Sequence, residues 1–325
     1  MGIYFQQIYN GVTLGAVYAL VALGYTMVYG IIELINFAHG DVFMFGTVIA
    51  LIMVQALGLT APVSNVFVLL LLIIAMIAVS MLVAAGLNVS IEFLAYRPLR
   101  KAPRLAPLIA AIGVSFIIEN AVQIWRGAGF TAFPDIFPST ALDHLDFGFF
   151  TIPATFDSGF GPTIRVVDIF IIVAAIGLMI GIDRVIRTTK LGRGMRATAQ
   201  DPEAAALMGV NINRTISLTF LIGGGLAGAA AVLYELFVGQ VWFFTGFQLG
   251  LIAFTAAVLG GIGNIRGAVL GGFVIGMIQA LAIQSITSIG ENGVAWSDAV
   301  VFAILVLILV FRPSGLLGQQ VPDKV

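Results

Sequence analysis

The sequence predicts an all-α fold, a polytopic transmembrane helical bundle of eight or nine spans in a single domain over residues 1–325. Composition carries the first half of that reading. Hydrophobic residues make up 60% of the chain and charged ones 10%, with a mean hydropathy of +1.09, whereas water-soluble domains sit near half apolar and a quarter charged. Pattern carries the second half. The apolar residues run continuously instead of alternating, which excludes the dyad repeat of an outer-membrane barrel and leaves the helix as the structure that satisfies its own backbone in lipid.

A span needs about 20 apolar residues. On that measure the spans fall near 8–31, 41–58, 65–88, 105–125, 166–184, 215–237, 246–262, 267–286 and 296–312. The first has no positively charged lead-in and is too long for a signal peptide, so it reads as a retained span. "NFAHGD" separates spans one and two, and "GGIGNIRG" separates spans seven and eight. Gly-rich backbone at membrane depth is tolerated where it is buried in protein or lines a cavity. If the pairs flanking these stretches are broken or re-entrant segments, the count is eight, not nine.

Lys and Arg set the orientation, because their excess marks cytoplasmic loops. None precedes Arg97; Arg97, Arg100, Lys101 and Arg104 then cluster in "AYRPLRKAPR", and Arg184, Arg187, Lys190, Arg193, Arg196 and Arg214 gather around a loop at about 185–214. With both groups inside, nine spans place Arg266, Arg312 and Lys324 inside as well, Arg126 and Arg165 outside, and the N-terminus outside. The longest external loop, about 126–165, is rich in Phe, Pro, Gly and Asp and has turn chemistry without a helical period. It is either a receiving surface or a mobile connector.

The loop at 185–214 carries its own helix punctuation in "QDPEAAALMGVN". Asp201 is an N-cap, Pro202 suits the first helical position, Glu203 favours the positive end of the helix dipole, and Gly209 can close the helix in a left-handed conformation. A helix of about two turns follows, slim through Ala204, Ala205 and Ala206 and apolar at Leu207 and Met208. It is too short to stand alone and must dock on neighbouring protein.

"EAAALMGVNI", Glu203 to Ile212, resembles the EAA-type cytoplasmic loop of ATP-binding-cassette (ABC) importer permeases. Three further blocks extend the likeness over nearly the whole chain: "NGVTLGAVYALVALGYTMVYGIIELINFAHGDVFM", "AYRPLRKAPRLAPLIAAIGVSF" and "FTAAVLGGIGNIRGAVLGG". Together they are similar to the permease subunits of high-affinity branched-chain amino acid ABC transporters, the LivH type. The resemblance implies a permease of the cell inner membrane that works by alternating access. It implies two ABC ATPase subunits, a second permease of the LivM type and an extracytoplasmic solute-binding protein as partners, with ATPase coupling through Asp201, Glu203, Ala204, Ala205 and Gly209. Urea, amides or other amino acids are alternative cargoes for the same machine.

Ionisable groups within spans cost about 2.5–3.5 kcal/mol at the centre and default to functional hypotheses. Glu119 with Asn120, near the outer end of span four, and Glu235, near the outer end of span six, are substrate-path candidates or helix–helix glue. Asn36 and His39, three apart beside Gly40 and Asp41, are a further pair, read as substrate contacts or as a structural histidine at a helix break. Gly11 with Gly15, Gly224 with Gly228 and Gly272 with Gly276 have the small-xxx-small spacing of close helix packing. "LGGIGNIRG" permits an unwound turn near substrate and lacks the Lys of a phosphate loop. The chain has no cysteine, no P-loop and no HExxH, and no spacing supports acid–base or covalent catalysis, so neither an enzyme nor a cofactor, metal or nucleic-acid site is expected. The rival of a different class is an ion-coupled secondary transporter with Glu119 or Glu235 as its coupling carboxylate.

Overall fold

The computed structural model describes residues 2–100, 102–103, 105–138, 143–147, 151–157 and 163–318. Its long helices are α1 (Gly2–Ile32), α2 (His39–Ala56), α3 (Val66–Ile91), α5 (Leu105–Arg126), α6 (Val166–Thr188), α9 (Ile212–Val238), α10 (Thr245–Gly260), α11 (Ile265–Ser288) and α12 (Gly293–Phe311). α3 continues through a π-helical turn, Glu92–Tyr96, into the short α4 (Arg97–Leu99). Eight segments are long and apolar enough to cross a membrane among the described residues. The segment expected as span seven is α10, whose 16 residues cover about 24 Å, short of a hydrocarbon core of about 30 Å.

Burial sorts the helices into a centre and a rim. In the most apolar stretches of α1 and α9, 78% of residues are buried; in α12 the figure is 11%, which leaves its Val, Leu and Phe side chains for lipid. α1 lies antiparallel on α11, and the predicted small-residue pairs sit at that crossing. A Cβ on Gly11 would stand 2.8 Å from the Met277 Cα, and one on Gly15 2.8 Å from the Phe273 Cα. Gly224 and Gly228 make the matching crossing of α9 on α3, where a Cβ on Gly224 would lie 2.6 Å from the Asn88 Cβ. Close backbone approach replaces the hydrophobic drive that helices lack within lipid.

The two ends of the bundle differ in chemistry. One end gathers the start of α1, the 57–65 loop, the described parts of the 127–165 segment and the 239–244 turn. Thr163 N–H donates to Gln6 Oε1 (2.8 Å), Tyr9 donates to the Arg165 carbonyl (3.2 Å) and Val63 N–H to the Ile136 carbonyl (3.0 Å). Here β1 (Thr131–Ala132) pairs antiparallel with β6 (Gln240–Val241), beside the hairpins β2–β3 (His144–Asp146 with Thr151–Pro153) and β4–β5 (Thr155–Asp157 with Thr163–Arg165). The loop expected to be external thus contains paired strands that its turn chemistry did not announce. Trp242, Phe243, Phe244 and Phe247 stack at the same end, in the manner of an interfacial aromatic belt. The other end carries α4, α7 (Lys190–Gln200), α8 (Pro202–Leu207), the 261–264 turn and residues 312–318. Arg97, Arg100, Arg184, Arg187, Lys190, Arg193, Arg196, Arg214, Arg266 and Arg312 all lie there, and Arg126 and Arg165 at the opposite end. Lys101, Arg104 and Lys324 lie outside the described residues.

Candidate coupling site and transport path

The basic end presents the expected short helix as a clamped peg. α6 turns into α7 at Thr189, whose hydroxyl caps Gly192 N–H at 3.2 Å; a Cβ on Gly192 would strike the Ile186 carbonyl, so the turn requires glycine. α7 buries Met195 and Thr198 and turns Lys190 and Arg193 outward. Sequence reading did not separate this helix from its loop, although Leu191, Met195 and Thr198 stand at i, i+4 and i+7.

α8 follows directly. Asp201 has extended backbone, and its Oδ1 accepts the Glu203 and Ala204 N–H groups at 2.9 and 3.0 Å, with Pro202 at the first helical position. The stop is equally regular: Gly209 sits at φ +86°, its N–H donates to the Ala206 carbonyl and Val210 N–H donates to the Ala205 carbonyl, both at 3.0 Å. Ala205 is buried against the body while Glu203 and Ala204 face out. Leu207 and Met208 are 90% and 85% exposed at the tip. Asn211 caps α9 immediately afterwards through Arg214 N–H (3.0 Å), so the peg sits between two capped helices.

The intramembrane candidates divide. Asn36 is buried and fully engaged: it donates to Asn88 Oδ1 (3.3 Å) and accepts from the Tyr96 hydroxyl (3.1 Å), while Asn88 donates to the Phe220 carbonyl (2.7 Å). His39 is buried edge-on to Tyr25, ring centroids 4.8 Å apart, and neither ring nitrogen has a hydrogen-bond partner among the described residues. It fills the space that Gly24 leaves open. Glu119 and Asn120 separate: Asn120 is exposed and donates to the Phe116 carbonyl of its own helix (2.7 Å), whereas Glu119 turns inward. One turn before it, Ser115 donates to Asp41 Oδ2, so Asp41 and Glu119 approach each other across α2 and α5. Asp41 Oδ1 and Glu119 Oε2 have no partner among the described residues. Glu235 stands apart, 1% exposed with both carboxyl oxygens unpartnered.

Sequence reading missed two further polar groupings. Glu92, in the π-helical turn, is buried and pairs with Arg97 (3.0 Å) and Arg100 and accepts from Ser217 (2.8 Å), tying α3 to α9 at the basic end. Tyr18 donates to Gln279 (2.6 Å), Gln279 donates to Asp298 (3.0 Å) and Gln248 donates to the other Asp298 oxygen, linking α1, α11, α12 and α10. The contacts that join these groupings across the bundle, Glu92 to Ser217 and Tyr18 to Gln279, link residues 125 and 261 apart and leave no local spacing to read. Among the described residues no three His, Asp or Glu side chains converge as a metal site would need.

A helical bundle with eight membrane-length segments, a basic end and a capped peg projecting from that end defines an integral membrane transport subunit. The family described as the branched-chain amino acid transport system/permease component matches residues 7–309, and this chain belongs to it. It is 42% identical over 322 residues to the high-affinity branched-chain amino acid transport system permease protein BraD of Pseudomonas aeruginosa, covering 99% of this chain and 98% of that protein. With the permease protein LivH of Escherichia coli (strain K12) it shares 38% identity over 323 residues, 99% of this chain and 98% of the other. These relatives are permease subunits, and the chain is a transport component, not an enzyme. The solved PsaBC of Streptococcus pneumoniae in complex with Fab aligns with a TM-score of 0.47 at 10% identity, over 96% of this chain and 92% of that one.

Proposed function

We propose that the chain is a pore-forming subunit of an ATP-driven, binding-protein-dependent importer of branched-chain amino acids (Leu, Ile and Val) in the cell inner membrane, with one permease domain over residues 1–325. The observation that carries the mechanism is the peg, a capped two-turn helix with Leu207 and Met208 almost fully exposed at the end where the arginines gather. Apolar side chains presented to water at a helix tip call for a protein partner. In this reading two ABC ATPase subunits receive α8 on the cytoplasmic side, through Asp201, Glu203, Ala204, Ala205 and Gly209. A LivM-type second permease completes the pore. A solute-binding protein docks on the 127–165 hairpins outside, where the N-terminus also lies.

Closure of the ATPases on ATP displaces α8, and the capped junctions pass that movement to α6 through α7 and to α9 through Asn211 as a rigid shift. Asp41, Ser115 and Glu119 are the best-placed path groups, because an ammonium-bearing cargo needs carboxyl oxygens with free lone pairs. Asn36 and His39 act as structural members of the break before α2, and Glu235 remains a path candidate on its unpartnered carboxyl alone. The test is to reverse the charge at Glu203 with Glu203→Arg, or to place a bulky residue at Ala204 or Gly209. ATP-dependent leucine uptake and ATPase co-purification should both vanish while insertion persists; normal uptake in these variants would overturn the coupling assignment. Uptake that needs an ion gradient and no binding protein would favour the secondary-transporter alternative. Competition by urea or amides, without competition by Leu, Ile or Val, would move the cargo assignment.

A further inference from the structure

We infer that an anionic phospholipid binds between α6 and α11 at the basic end, its phosphate held by Arg187, Arg196 and Arg266 and its acyl chain lying in the adjoining apolar groove. Two neighbouring cavities define the site. One, of about 610 Å³, is lined by Asp183, Arg187, Arg196, Asn264 and Arg266. The other, of about 410 Å³, is lined by Ile176, Ile180, Val269, Leu270 and Phe273 and shares Asp183, Ile265 and Arg266 with the first. A polar chamber opening directly into an apolar groove has the two-part shape of a phospholipid, and its charge selects which kind.

Three arginines face one carboxylate. Arg187 is neutralised by Asp183 at 2.7 Å, and among the described residues Arg196 donates only to the Ile186 carbonyl. Arg266 makes no ion pair among the described residues, although it stands in the first turn of the 24-residue α11, just after its Asn264 cap. The positive end of a long helix dipole disfavours a cation there. An anion reverses the sign of that interaction, because a phosphate accepts from guanidinium groups on both sides and gains from the helix end. The two arginines left uncompensated can donate to a phosphodiester from either side, whereas a zwitterionic headgroup brings its own cation into a chamber that is already net positive.

The groove supplies the second half. Ile180 and Leu270 are 59% and 51% exposed, facing each other across the gap. From Asp183 to Ile176, and from Arg266 to Phe273, the groove climbs seven residues along each helix, about 10 Å toward the bilayer centre. That is the direction an acyl chain takes from a phosphate held at the cytoplasmic interface, where basic pockets between spans attract acidic headgroups. Arg196 belongs to α7, so the bound headgroup would also tie the coupling segment to α6 and α11.

The experiment is native mass spectrometry of the purified full-length chain with its co-purifying subunits, titrated with dioleoyl phosphatidylglycerol or dioleoyl phosphatidylcholine. Phosphatidylglycerol should be retained preferentially, and Arg196→Gln and Arg266→Gln should each weaken its retention about five-fold, taking about 1 kcal/mol per arginine at the interface. Leu270→Trp, which fills the groove and leaves the charges in place, should also weaken it. Arg184→Gln and Arg193→Gln, at the same end but outside the cavity, should leave retention unchanged. Equal retention of the two lipids, or retention by the Arg196→Gln/Arg266→Gln pair at the wild-type level, would overturn the proposal. So would a disulfide, formed under oxidant in intact membranes, between Leu270→Cys and a cysteine introduced into the second permease subunit, since the groove would then belong to that protein.

Discussion

Two breaks join successive helices of this bundle, at residues 33–38 before α2 and at residues 261–264 before α11, and they are made of different materials. Side chains hold the first: Asn36, Asn88 and Tyr96 bridge the loop to α3 and, through the Phe220 carbonyl, to α9, and Glu33 takes a positive φ of 52° without being glycine. Backbone holds the second. Gly261 and Gly263 sit at φ +103° and +91°, Gly260 and Gly267 meet face to face, and Leu316 and Leu317 donate their N–H groups to the Leu259 and Gly260 carbonyls at 2.7 and 3.0 Å. Backbone groups freed where a helix stops need partners in either case. Polar side chains can exchange those partners; glycine-on-glycine contacts cannot, so the first break is the one suited to a moving path and the second to a fixed joint.

Substitutions that add a Cβ should separate the two most strongly. Gly260→Val or Gly267→Val would drive a side chain into the facing carbonyl, with no flexible neighbour to yield, and overpacking of this kind costs about 3 kcal/mol or more. Loss of the monodisperse folded species on size-exclusion chromatography is expected, and a stable, wild-type-like variant would end the description of a rigid joint. At the first break the same experiment should be reversible. Gly24→Ala places its Cβ on the His39 imidazole and should lower the thermal midpoint; adding His39→Ala should restore most of it. No single side-chain truncation is expected to rescue Gly260→Val.

Next in size is Asn88→Ala. It leaves the Asn36 amide unpaired in a buried place, at about 1–3 kcal/mol, and removes the second donor to the Phe220 carbonyl, which keeps its place in the α9 ladder. Thermal unfolding of Asn88→Ala, Asn36→Ala and the double variant should give a coupling above about 0.5 kcal/mol. Additive losses would show that the two asparagines do not form one lock.

What could be read from the sequence follows from the range of the physics. The spans rest on runs of apolar residues, the Asp201 cap and Gly209 stop on rules confined to ten residues, and the glycine crossings on a spacing of four; the cap, the stop and the crossings appear in the structure as expected, and of the nine stretches read as spans all but the seventh are of membrane length. Asp41 with Ser115 and Glu119, Glu92 with Ser217, and the chain from Tyr18 to Asp298 depend on contacts between helices distant in sequence. No local period announces them. The β2–β3 and β4–β5 hairpins escaped for the opposite reason, since strands of three residues are shorter than any pattern that distinguishes them from a turn.

The smallest expected effect tests whether the second break is held by backbone alone. Asn264 has two tasks: its Oδ1 accepts the Arg266 and Gly267 N–H groups at 3.1 and 3.2 Å, capping α11, and its Nδ2 donates to the Leu317 carbonyl at 2.8 Å. Asn264→Ala removes both, and loss of a cap costs about 1 kcal/mol. Asn264→Asp keeps the cap, gains about 0.3–1 kcal/mol from a carboxylate at the positive helix end, and loses the donor to Leu317. If the joint depends on glycine contacts and backbone hydrogen bonds, the Asp variant should melt within a degree or two of wild type and the Ala variant below both. If Asp and Ala fall together, the bond to Leu317 carries the joint. The second break would then be side-chain-locked like the first, and the contrast between a fixed and an exchangeable interruption would dissolve.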